Sequence, residues 1–134
     1  MIYRHKAQFA YTNKTGAPSV KGSLVTAAAG GTAGAPGVAL AGEFNAIGVV
    51  ETAGVPDGGT IMVTVAGPTQ VLLKDGEAST AGYVAFSSDT PGRAKTAAVP
   101  VPPNSDSHFT EIGHVHETAI AGTNVLIWVT VHFN

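Results

Sequence analysis

Turn signals recur along this chain so closely that no long regular element fits between them. Val55-Pro-Asp-Gly-Gly59 presets φ with its proline and offers Asp-Gly for the positive-φ positions. Gly67-Pro68, Lys74-Asp-Gly-Glu77, the stretch from Ser87 to Arg93 and Ala121-Gly-Thr-Asn124 punctuate the rest. The runs between them are short and rich in β-branched residues: Val20–Thr26, Ile47–Val50, Thr60–Val65, Gln70–Leu73, Gly82–Phe86, Phe109–Glu117 and Val125–Phe133. In the last run Trp128, Thr130 and His132 alternate with Ile127, Val129, Val131 and Phe133, the period of a half-buried strand. Ala27–Ala29 would suit a helix, but Gly30, Gly31 and Gly34 follow too closely. Residues 27–42 therefore read as a loop with little strand, and 94–101 as weak structure. Residues 100–107 read as irregular, because prolines lack an N–H donor. The spacing predicts an all-β fold, a small antiparallel barrel or sandwich.

Two segments of the chain look alike. Ile47-Gly-Val-Val-Glu-Thr-Ala53 leads through a Gly-rich turn to Thr60-Ile-Met-Val-Thr-Val65. Ile112-Gly-His-Val-His-Glu-Thr-Ala119 leads through Gly122-Thr123 to Trp128-Val-Thr-Val131. Each follows a similar strand start, Lys21-Gly-Ser-Leu-Val25 and Ala81-Gly-Tyr-Val-Ala85. Chance recurrence in a Gly/Ala/Val/Thr-rich chain is the plain explanation. The sharper one is a pseudo-duplicated β unit, each copy supplying part of one barrel and sharing one core, since a single copy is too small for its own. Gly48 and Gly113 then mark a bulge or a close backbone approach, and Glu51 and Glu117 fall at equivalent positions.

The 134 residues make one domain's worth of chain. Residues 1–13 stand apart as an extended N-terminal arm or edge strand, leaving 14–134 as a single barrel or sandwich domain. Tyr3, Arg4, His5, Phe9 and Tyr11 are of the types enriched at interface centres, and are the candidate partner-binding residues. An extended arm can add a strand to a neighbour's sheet edge. An ordinary first strand of the barrel is the plain alternative.

Composition narrows function mainly by exclusion. Charged residues are 12% and the net charge is −2, with no basic patch to neutralise phosphates, so nucleic acid is not an expected partner. No apolar run approaches the roughly eighteen residues of a membrane-spanning helix, and the N-terminus carries no signal-type cleavage site. With no cysteine, disulfides and thiolate metal sites are impossible. No cofactor is expected. The asparagine-like turn role of Asp57, Asp75, Asp89 and Asp106 explains those carboxylates without catalysis, no G-x-S-x-G elbow is present, and an enzyme is not expected. Residues 30–42 lack a G-K-[ST] and a following helix, so they make a poor phosphate cradle.

The histidines carry the remaining chemistry. His114 and His116 are two apart, so a strand points both to one face, and His132 lies in the next predicted strand. With Glu117 or His108 they would offer nitrogen and oxygen donors of the kind zinc takes. The plain alternative is an amphipathic hairpin whose histidines alternate with Val115 and Val131.

The order of these motifs, from Lys21-Gly-Ser-Leu-Val25 through Ala78–Ala94 to Glu111–Phe133, resembles the small all-β capsid decoration (cement) proteins of tailed bacteriophages. The resemblance covers about residues 15–133 and rests on short Gly/Ala/Val-rich motifs. It implies a virion protein, made in the host cytoplasm, that binds the outside of the major capsid protein shell, commonly as a homotrimer, and stabilises the head. It carries over no catalytic or capsid-binding residue. Another virion β module, such as a head-fibre base or a tail-associated host-surface binder, is the alternative, and a small ligand- or metal-binding barrel a third.

Overall fold

The computed structural model describes residues 6–98 and 110–133. Its elements are nine strands: β1 (Ala7–Asn13), β2 (Leu24–Thr32), β3 (Ala35–Leu40), β4 (Gly48–Val50), β5 (Thr60–Leu72), β6 (Val84–Ser87), β7 (Ala94–Ala97), β8 (Glu111–Val115) and β9 (Leu126–Val131). All belong to one mixed sheet in the order β1-β3-β2-β4-β5-β9-β8-β6-β7, and β1 pairs in addition with β5. The expected all-β class is therefore the observed one. The extra pairing closes a ring of five strands, β1-β3-β2-β4-β5-β1. The second half of β5, from Gly67, pairs with β9 and begins a second ring through β8, β6 and β7. A parallel bridge from Leu73 to Ala94 completes it.

The two rings are copies in register. In the first, β1 meets β5 with Ala10 opposite Met62; in the second, β5 meets β9 with Gln70 opposite Trp128. Val25 faces Gly48 as Ala85 faces Gly113, and Val50 faces Val63 as Val115 faces Val129. Asn13 pairs in parallel with Val38 as Leu73 does with Ala94. The duplication read from the sequence is thus present, but each copy closes on itself instead of supplying part of one barrel. Register also corrects one equivalence. Met62 O accepts from Glu51 N as Trp128 O accepts from His116 N, so Glu51 corresponds to His116, and Thr52 to Glu117. The repeated Glu-Thr-Ala triplet is out of frame by one residue.

Alternation along the strands fills both interiors with small branched side chains. Val25, Val38, Val50, Ile61 and Val63 form the first core, with Tyr11, Ile47, Val55 and Val65 packed against it. Val71, Leu73, Ala85, Ala94, Ile112, Val115, Ile127, Val129 and Val131 form the second, joined by Leu24, Ala41 and Val49 of the first ring. Each fully buried valine or isoleucine contributes roughly 1.5–3 kcal/mol. Among the described residues no buried side-chain polar atom lacks a hydrogen-bond partner.

Two local readings change, and one alternative is decided. Residues 27–42 are not a loop: β2 and β3 make a hairpin there, turning at Gly34 with φ of 82°. Gly31 and Gly37 let the two backbones pass where any Cβ would collide, so the ladder forms without bulky side chains to announce it. Gly67-Pro68 does not reverse the chain; it lies inside β5, where Gly67 takes φ of 101° at the junction of the rings. Finally, residues 7–13 follow the strand reading, and β1 pairs along both sides, to β3 and to β5. Residues 1–5 and 99–109, including the proline-rich stretch, lie outside the described residues.

Gly22 joins the copies. Its N–H donates to Val50 O at 2.8 Å, and its carbonyl accepts from Leu72 N of β5 at 2.9 Å. It holds φ of 89°, and a Cβ there would lie 2.9 Å from the Leu72 nitrogen and collide with the Leu126 side chain. Gly82 holds the same place in the second copy, with φ of 92° and open space around it. Gly82→Ala should therefore cost only the left-handed backbone, about 1–2 kcal/mol. Gly22→Ala adds a backbone collision and should cost at least about twice that in urea unfolding. Equal costs for the two variants would show that the junction tolerates a methyl group.

Candidate functional site

Equivalent corners of the two rings carry different chemistry on their outer walls. In the first, β4 ends at Val50 and Glu51 turns its carboxylate outward over β5. The hydroxyls of Thr64 and Thr69 both donate to its Oε1, and Lys6 Nζ lies 2.8 Å from the same oxygen. Gln8 Nε2 donates to Thr64 Oγ1 at 3.3 Å, tying β1 into the network. Burial pushes the Glu51 carboxyl up, but the hydrogen bonds from Lys6, Thr64 and Thr69, with the lysine's charge, outweigh it and hold the group below its ordinary value.

In the second ring, imidazole stands where the carboxylate was. His116 Nε2 is hydrogen-bonded to Thr130 Oγ1, the counterpart of the Thr64 contact. Trp128 N donates to Glu117 Oε1 at 2.7 Å, as Met62 N donates to Thr52 Oγ1 at 3.2 Å. Glu117 is thus occupied in a structural role. The three candidate histidines are split: His114 and His116 do share an exposed face, but His116 goes to Thr130, while His114 stacks near His132 with ring centroids 5.5 Å apart. Glu111 joins that pair, and the ligand atoms of Glu111, His114 and His132 lie within 4.8 Å of one another.

Glu111 was missed from sequence because it is three residues from His114, which a regular strand would put on the opposite face. A register shift between Ala85 and Phe86 of β6 sets Gly113 opposite Ala85 and Glu111 opposite Phe86. Ile112 and Gly113 consequently both face inward, and Glu111 emerges beside His114. No motif in the sequence marks that bulge.

Of the partner-binding candidates, Tyr3, Arg4 and His5 lie outside the described residues. Tyr11 is opposite Ile61 and packs on the first core, so its ring is committed to the fold. Phe9 is 56% exposed, and Val20, Leu40, Phe44, Met62, Ile120 and Trp128 are also exposed, Ile120 at 87%. Met62 and Trp128 are equivalent outward positions of the two rings. Val20 and Leu40 border a cleft of about 150 Å³ whose polar rim includes Asn13, Ser19 and Arg93.

Glu51 gives the fold an acid dependence of definite sign. A carboxyl whose folded pKa is depressed stabilises the fold fully above its unfolded value and loses that contribution as pH falls through the folded one. Glu51→Gln should therefore be less stable than the wild type at neutral pH, and the gap should close in acid below the ordinary glutamate range. Urea midpoints measured across that range check this; a gap independent of pH would mean that the carboxylate's charge is not what holds Lys6, Thr64 and Thr69.

No protein-family model matches the sequence, and no curated protein matches it. Among solved structures, the chain is similar to the crystal structure of the head fiber gp8.5 N base in bacteriophage phi29. The two superpose with a TM-score of 0.62 at 17% sequence identity, over 95% of this chain and 94% of that one. They share a fold from end to end.

Proposed function

We propose that this chain is a structural, non-catalytic protein of a bacteriophage virion, mounted on the outside of the head and bound to the major capsid protein. One observation carries the reading: the agreement in fold with a head-fibre base spans nearly the whole of both compared chains. The surface supports it physically. A chain with 12% charged residues that leaves Phe9, Met62 and Trp128 exposed has apolar area suited to cover by neighbouring protein.

Two occupancies fit this role. The base of a head fibre is favoured, because the fold match is to such a base. Decoration of the shell as a homotrimeric cement protein is the second, and rests on the motif order that resembles that family. Both act by mass action, since a protein that binds only the assembled shell stabilises it.

Co-sedimentation with heads built from the cognate major capsid protein tests the proposal. The expected result is saturable binding by a stable oligomer, with a fixed number of copies per head. Phe9→Ser should weaken binding without altering the fold. Removal of Met1–His5 tests the N-terminus; removing Lys6 as well would lose its ion pair with Glu51, and truncation past Lys6 would cut into β1 and open the first ring. A chain that stays monomeric and does not sediment with heads would overturn the proposal.

A further inference from the structure

We propose that Glu111, His114 and His132 form a binding site for a divalent transition-metal ion of the zinc class on the outer wall of the second ring. The donor set is two imidazoles and one carboxylate, with ligand atoms that lie within 4.8 Å of one another. Zinc takes imidazole nitrogen and carboxylate oxygen at roughly 2.0–2.2 Å, so binding would draw these three donors somewhat closer together. Two imidazoles and a carboxylate exclude magnesium and calcium as preferred ions, since those take oxygen ligands.

The backbone builds this corner from two directions. His132 follows β9, and its N–H donates to Ile112 O at 2.8 Å, which fixes its position beside β8. The bulge opposite β6 turns Glu111 onto the face of His114. Gly113, between them, has no Cβ to hold β9 away: one there would collide with the Thr130 carbonyl. The resulting approach sets the His114 and His132 rings 5.5 Å apart, inclined by 40°.

The first ring is an internal control. Register sets Val49 in the place of His114 and Ala66 in the place of His132, with Val49 buried against the second ring where His114 is exposed. The fold therefore does not require imidazole there, and the donors are an addition confined to one copy. Three protein ligands leave one tetrahedral position, which faces solvent because His114 is exposed. The site does not depend on the virion reading.

Calorimetric titration of the full chain, free of any affinity tag, with zinc chloride tests the proposal. One ion per chain should bind at micromolar affinity or tighter, at about −8 kcal/mol or better. Zinc should raise the melting temperature, a chelator should reverse the rise, and magnesium should do neither. The variants His114→Val and His132→Ala remove the donors at one exposed and one half-buried position, and circular dichroism verifies that the fold is kept. Each should weaken zinc binding about tenfold or more, as should Glu111→Gln, while His116→Ala should leave it unchanged. Absence of zinc binding at about 100 μM would overturn the proposal. So would binding that survives in the double variant His114→Val/His132→Ala, or that is lost in His116→Ala.

Discussion

Strand β5 is the element on which both rings depend. Its first half closes the first ring against β1 and β4, and its second half, past Gly67, is the strand from which the second ring is built on β9. A unit of this size alone would expose two sheet edges, each a row of unpaired N–H and C=O groups. Natural sheets guard such edges with charges, and this chain has few to spare. Closure removes the edges instead. In the first ring it is complete, with β1 paired on both sides; in the second, the bridge from Leu73 to Ala94 does the same with a single register position. Running one strand through both rings also makes the junction covalent and hydrogen-bonded at once, so the copies have no hinge between them in the sheet.

Duplication then left each position with a partner against which its role can be judged. Where the copies agree, the fold is the reason. Ser19 Oγ donates to Thr52 O, and Ser79 Oγ to Glu117 O, so a serine at this site ties the strand start to the end of β4 or β8 in both rings. Where they differ, the difference is local. Gly22 is crowded by the second ring's Leu72 and Leu126, whereas a Cβ at Gly82 would meet nothing within 4 Å among the described residues. Glu51 gathers Lys6 and two threonines, while His116 at the same place takes one threonine. The clamps at the loop end differ as well. Asn13 holds Ala17 and Val55 carbonyls in the first ring; in the second, Arg93 spans Leu73, Asp75 and Asn124.

Much of this was legible in the residues, and the failures have physical causes. Turns announce themselves because Asp-Gly and Pro-Gly satisfy backbone angles that other residues resist; Gly58, Gly76 and Gly92 all take positive φ where the turns were read. Strands carrying Val, Ile and Thr were legible for the same local reason. The β2–β3 hairpin was not, since its pairing rests on the absence of side chains at Gly31 and Gly37, a tertiary fit with no local signature. The Glu-Thr-Ala match misled because letters recur more easily than hydrogen bonds, and only register shows which glutamate faces which strand. Of the histidine site, His114 and His132 were visible as neighbours in adjacent strands. Glu111 required a bulge set by the pairing of β6 with β8.

The low charge of the chain takes its meaning from this geometry. Small rings fill mainly with valine, leucine, isoleucine and alanine; Phe86 is buried and Tyr11, Tyr83 and Phe133 pack against the cores, but several other large apolar residues are left outside. Phe9, Phe44, Met62, Ile120 and Trp128 are exposed, while the largest fully buried side chains are all valine, leucine and isoleucine. Met62 and Trp128 sharpen the point. They occupy the same outward position in two copies that have diverged at many others, and in both the neighbouring outward residue is a threonine. A long apolar side chain on an outer wall gains nothing from its own ring's core. Its gain comes from contact with another surface, at roughly 25 cal/mol for each Å² of apolar area removed from water. Repeating it on both rings gives one chain two similar apolar points on its outer walls, which is what the proposed virion role would use.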